Sequence, residues 1–231
     1  MPNKNFNPTG NSLGGFFNRW LRQRVKFIVS QTGGMAYVEP IIFVLGPSGV
    51  GKSYVSKSLE EDYSFLHLDI DKKGGFNANG FPAEWDEEIS KINFANLATV
   101  VRSRLAVEQH AAAVLSFPTV HVFSPQQLED ASRVGISTVV LWGTEERCLK
   151  VRRERQRKRI GRFDERDLKH YRRVNRRTFE TYARSEYADF RVEAFRPDGS
   201  RWPREHVLAV ILGRLANHGF QRIVAKGGHS R

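Results

Sequence analysis

Eight consecutive residues constrain this chain most: Gly46-Pro47-Ser48-Gly49-Val50-Gly51-Lys52-Ser53. Glycine at 46 and 51, followed directly by Lys52 and Ser53, matches the Walker A spacing. The flanks agree with it. Ile41 to Leu45 is an apolar run of strand character, and Ser53-Tyr54-Val55-Ser56-Lys57 opens a helix. A strand, a glycine-rich turn and a helix in that order let backbone N–H groups curl around a nucleotide β-phosphate, where the helix adds its positive end. On this reading Lys52 reaches the β- and γ-phosphates and Ser53 holds Mg²⁺. Gly46, Pro47, Ser48, Gly49, Val50, Gly51 and Tyr54 complete the cradle for ATP.

Strands and helices alternate after that turn. The apolar patterning predicts strands over 41–45, 65–70, 112–117, 138–142 and 189–194, and helices near 51–60, 84–109, 125–132, 145–158, 165–184 and 204–217. Five short apolar strands between helices predict a three-layer α/β fold with a parallel sheet covered on both faces. The chain has 231 residues, of which 40% are hydrophobic, including 16 Phe and 4 Trp, so one such core and its appendages fill it. Wholesale disorder is excluded by that content, and no apolar run reaches the roughly 18 residues that cross a bilayer. A single cysteine, Cys148, forms no internal disulfide, and no His/Cys cluster has zinc spacing. These features point to a reducing, cytoplasmic setting.

The net charge of +12 is not spread evenly. Residues 1–38 hold five basic residues and no acid, and residues 151–177 hold 13 Lys and Arg against four acids, which leaves the remainder two charges negative. The first segment is expected to be an extension: an Asn/Pro/Gly-rich start, then a basic amphipathic helix over 13–28 with Leu13, Phe17, Leu21, Val25 and Ile28 at helical spacing. Packing on the domain, peripheral membrane contact and organelle targeting are the alternatives for it. The main domain is expected over 39–220, and a basic tail over 221–231.

The second strand ends in Leu66-His67-Leu68-Asp69-Ile70-Asp71, and a period of two puts Asp69 and Asp71 on one side. Carboxyl ends of parallel strands line the ligand crevice, where two carboxylates serve Mg²⁺ and an acceptor hydroxyl. From Ile41 to about Leu215 the chain resembles the shikimate kinases, within the wider P-loop small-molecule and nucleoside monophosphate kinases. The resemblance rests on Gly46–Ser53, on Leu66–Asp71, on Val114-Leu115-Ser116 and Val122–Pro125, on Thr138–Trp142 with the following helix, and on Phe190–Glu193 with Arg196-Pro197. It implies that Asp69 assists the metal and Asp71 binds the acceptor hydroxyls. It also implies a lid around 155–166 with Gly161 at its tip, whose arginines, Arg159 and Arg162 among them, meet the migrating phosphoryl group. Arg153 is assigned to ATP, Arg196 and Pro197 to the adenine loop, and Arg176 or Arg177 to the acceptor.

The resemblance fails where the acceptor would sit. Phe117-Pro118-Thr119-Val120 replaces the family's glycine run, which removes one backbone donor and fills space with side chains. The helix after the second strand offers Lys91 where a carboxylate-clamping arginine is expected, a poor substitute for bidentate recognition. Phe81 and Trp85 in the connection 72–85 are expected to pack in the core rather than line an acceptor pocket. The sequence therefore points to an ATP- and Mg²⁺-dependent kinase that phosphorylates a hydroxyl of a small molecule other than, or altered from, shikimate. The rival readings are a nucleoside, nucleotide or polynucleotide kinase, in which the excess basic charge contacts nucleic acid, and a non-catalytic nucleotide-binding module that recruits RNA or membrane.

Overall fold

The computed structural model describes residues 39–227, with side chains to Leu215; the extension 1–38, including the expected helix over 13–28, lies outside the described residues. Five strands form one parallel sheet: β1 (Ile41–Leu45), β2 (Leu66–Asp69), β3 (Ala113–Ser116), β4 (Ile136–Trp142) and β5 (Arg191–Glu193), in the spatial order β2-β3-β1-β4-β5. The helices are α1 (Lys52–Tyr63), α2 (Glu84–Glu87), α3 (Phe94–Glu108), α4 (Pro125–Arg133), α5 (Glu145–Ile160), α6 (Glu165–Tyr182) and α7 (Arg204–Gly227).

Alternation along the strands feeds two cores. Ile41, Phe43, Leu45, Leu68 and Leu115 bury one face against Phe76, Trp85 and Leu97, while Ile42, Val44, Val114 and Leu141 bury the other against Val55, Leu59 and Ile211. Burial on both faces explains why the strands read as continuous apolar runs. The register then sets the site. Val44 pairs with Ser116, and Ser116 pairs with Asp69, so β1, β3 and β2 deliver their carboxyl ends at one height.

Two helices differ from the sequence expectation. The stretch 84–109 is not one helix: Glu88 is extended at φ −143°, and Asn93 caps a new helix by accepting from the Asn96 N–H at 3.0 Å. Apolar periodicity ran across this break because both pieces bury onto the same core. The last helix reaches Gly227 rather than 217. Phe81 and Trp85 are buried as expected, in a cluster where Phe76 meets Phe81, Trp85 and Phe117 edge to face. No helix among the described residues is long and apolar enough to cross a membrane.

Candidate phosphoryl-transfer site

The turn between β1 and α1 has the close packing that its glycines permit. Gly46 sits at φ +131° and Gly49 at φ +92°, and a Cβ on either would overlap a backbone carbonyl, of Leu141 and of Cys148 respectively. Helix α1 begins without a capping side chain and without an acid in its first turn. Its first helical hydrogen bond runs from Val55 N–H to Gly51 O, so the N–H groups of Lys52, Ser53 and Tyr54 have no intrahelical acceptor and suit an anion.

Three further elements brace this loop. Lys52 is buried, and its ammonium donates to Gly46 O at 2.7 Å, Pro47 O at 3.3 Å and Thr119 Oγ1 at 3.3 Å. Burial pushes its pKa down to about 8, against the opposing pull of Asp71. From α6, Asn175 Oδ1 accepts the Ser48 N–H at 2.7 Å, and the Tyr171 hydroxyl donates to Ser48 O at 3.2 Å. The Ser48 donor, expected to face a phosphate, is thereby taken by Asn175. Arg201 donates to Gly49 O at 2.8 Å and lies over the Phe195 ring. Tyr171, Asn175 and Arg201 were not singled out from the sequence, and Thr119 was named only as a side chain that fills the acceptor space. The available signal was the α6 stripe Tyr171, Asn175, Thr178 and Tyr182, which puts a buried Asn where a helix prefers an apolar residue.

The acids stand two strands from the loop, with β3 between. Asp69 Oδ1 accepts from Ser116 Oγ and from the Asp71 N–H, both at 3.2 Å, and its Oδ2 lies 3.9 Å from the exposed Lys72 ammonium. Behind Ser116, His67 Nε2 lies 3.0 Å from its hydroxyl, and His67 Nδ1 lies 3.5 Å from Glu60. Asp71 is exposed at the mouth. Partial desolvation raises its carboxyl above the ordinary range, Lys52 opposes this most strongly, Asp69 adds to it, and Arg152 and Arg155 on α5 oppose it. Lys52, Asp69, Arg152 and Arg155 are thus the charges that bear on the Asp71 carboxyl.

Arg153 stacks its guanidinium over Phe163 at 5.6 Å, and Arg159 joins Val151, Glu154, Arg155 and Lys158 around an open depression on α5. Gly161, at φ +76°, ends α5, with exposed Arg162 in the turn after it. Arg176 lies 3.8 Å from Glu180, and Arg177 is exposed beside it on α6. Arg196 stacks over Trp202 at 5.2 Å, and Pro197 O accepts from Arg147 at 2.6 Å, which ties the 195–201 loop to α5. Ser53 is exposed at the start of α1, and its hydroxyl and the Asp69 carboxylate at the end of β2 are both hard oxygens. That fits Mg²⁺, which takes one or two protein oxygens and completes its shell with phosphate and water.

No family model matches the chain, and no curated protein matches it. Among solved structures the chain is similar to a gluconokinase from Sinorhizobium meliloti 1021, at 19% identity, covering 84% of this chain and 100% of that one with a TM-score of 0.49. It is also similar to the shikimate kinase from Acinetobacter baumannii in complex with shikimate, at 18% identity, 78% and 96% coverage and a TM-score of 0.43. A third is the shikimate kinase from Aquifex aeolicus vf5, at 19% identity, 76% and 96% coverage and a TM-score of 0.41. The fold itself stands on the all-parallel sheet, its strand order and the strand–loop–helix context of residues 41–63.

Proposed function

We propose that this protein is an ATP- and Mg²⁺-dependent kinase that transfers the γ-phosphoryl group to a hydroxyl of a small molecule. The observation that carries the reading is the common height at which β1 and β2 end, which puts the phosphate loop with Lys52 and the carboxylates Asp69 and Asp71 at one edge of the sheet. A phosphate-binding lysine and a carboxylate at the same sheet edge are what transfer between two oxygens requires. The acceptor oxygen attacks the γ-phosphorus, the bond to the β,γ-bridging oxygen breaks, ADP leaves, and the acceptor proton passes to Asp71. The first turn of α1 binds the β-phosphate, and Lys52 leaves Gly46 O and Pro47 O to meet the transferred group. Arg152 and Arg155 neutralise charge from α5, and Arg159 and Arg162 join them if the α5–α6 turn closes as a lid. Bound Mg²⁺ would neutralise phosphate oxygens, held by Ser53 and Asp69.

The acceptor side differs from a shikimate site. Buried Thr119, whose carbonyl accepts from Thr178 at 2.6 Å, occupies the position expected for glycine, and Lys91 is paired with Glu88 at 3.0 Å. Arg176 and Arg177, adjacent and exposed on α6, are the candidate acceptor cations. Coupled ADP release tests the reading across shikimate, sugar acids, polyols, nucleosides and 5′-hydroxyl oligonucleotides. Stimulation by one class is expected to identify the acceptor. Stimulation by oligonucleotides alone would favour the polynucleotide reading, for which the exposed cations of α5 and α6 provide a phosphate track.

A further inference from the structure

We infer that His67 is a positioning residue for the Asp69 carboxylate, acting through Ser116; the inference rests on the reading of Asp69 as a Mg²⁺ ligand. The contacts run from His67 on the second strand through Ser116 on the third and back to Asp69. His67 Nε2 lies 3.0 Å from Ser116 Oγ, and Ser116 Oγ lies 3.2 Å from Asp69 Oδ1. The path is sheltered, with the His67 side chain 5% exposed and Ser116 1%.

The proton inventory fixes its direction. An ionised carboxylate only accepts, so the one hydroxyl proton of Ser116 goes to Asp69. Ser116 Oγ is then the acceptor toward His67, which makes the ring a donor at Nε2. The strand register supports this arrangement: Asp69 is opposite Ser116, and His67, two residues earlier, falls on the same face as Asp69. With the Asp71 N–H as a second donor, Asp69 Oδ1 is held from two directions. The carboxylate torsion is fixed, and Oδ2 is the oxygen left for a cation. A histidine that only filled space between α1 and β2 would need neither ring nitrogen within reach of a polar partner.

The test reads metal binding rather than turnover. Mn²⁺ is titrated by electron paramagnetic resonance into the full chain with a non-hydrolysable ATP analogue bound. His67→Phe keeps a ring but removes both nitrogens, and is expected to weaken Mn²⁺ about tenfold or more, as loss of such outer partners does at other metal sites. Affinity for the analogue without metal stays unchanged. His67→Gln, whose amide again donates to Ser116, recovers most of the loss. Ser116→Ala weakens Mn²⁺ to a similar extent, and adding His67→Phe to it costs nothing more. Should His67→Phe not fold, His67→Leu serves in its place. The inference is overturned if the folded Phe or Leu variant binds Mn²⁺ within twofold of the unaltered chain, if Gln is no better than Phe, or if the His67 and Ser116 effects add in full. An Asp69→Asn variant with unaltered Mn²⁺ affinity would instead overturn the reading of Asp69 as a ligand.

Discussion

Replacing Lys52 with methionine should make the nucleotide-free protein more stable while abolishing its use of ATP. The ammonium is buried, and three oxygens at 2.7, 3.3 and 3.3 Å do not repay its lost hydration, which is why its pKa falls from 10.5 to about 8. A depression of that size corresponds to about 3 kcal/mol of destabilisation by the charged form, at 1.36 kcal/mol per unit. Below pH 8 the lysine is charged in both folded and unfolded chains, so the whole cost is present. Between pH 8 and 10.5 the unfolded chain binds the extra proton, so stability rises with pH and the cost disappears. Lys52→Met, of similar length, therefore gains up to about 3 kcal/mol at pH 7, or roughly 6 to 12 °C in Tm for a chain of this size, and little or nothing above pH 10. Thermal or urea unfolding of both proteins from pH 6 to 10.5 measures it. A methionine variant less stable than the parent at pH 7, or an advantage that does not shrink as pH rises, would refute the reasoning.

Three other outcomes follow from the same geometry. Asp71→Asn should lower kcat by about 10²- to 10³-fold, the range for loss of a positioned base, while nucleotide affinity stays within twofold, as measured by steady-state kinetics beside calorimetric titration. The pH profile of kcat/KM should fall on the acid side as Asp71 takes a proton, above the ordinary carboxylate range. On the alkaline side it should fall near pH 8 as Lys52 loses one, and a flat profile from pH 7 to 9 would contradict this. Asn175→Ala leaves the Ser48 N–H without its 2.7 Å acceptor, so it should cost about 1 to 3 kcal/mol in denaturant unfolding and raise the KM for ATP.

The phosphate loop and the sheet were legible in the sequence because both rest on local signals. Glycines at 46 and 51 before Lys52 and Ser53 need only neighbours in the chain, and each apolar run needs only its own length. The strands over 65–70, 112–117 and 189–194 are shorter by a residue or more at each end in the structure, and β4 starts at Ile136 rather than 138. Pairing partners, which the sequence does not specify, set those limits. The break at Glu88–Asn93 was hidden because Trp85, Ile92 and Leu97 face one core from different pieces. Asn175, and the contact that Thr119 makes, were hidden for a different reason. They reach the loop from 127 and 67 residues away in sequence, and a polar residue buried by tertiary contact leaves only a gap in an apolar stripe. The basic segment showed its charge but not its geometry. Arg152 and Arg155 act on Asp71, while Arg153, Arg176 and Arg196 turn to Phe163, Glu180 and Trp202.

The proposal at the centre is that Lys52 and Asp71 serve one phosphoryl-transfer site. It is tested most directly by Mg-ATP turnover over the acceptor panel in the unaltered chain, Lys52→Ala and Asp71→Asn. ADP release that one acceptor class stimulates is expected, abolished in Lys52→Ala and cut by about 10²-fold or more in Asp71→Asn with ATP affinity kept. ATP binding with no acceptor-stimulated turnover, beside RNA or liposome binding that persists in Lys52→Ala, would contradict it and assign the chain to recruitment instead.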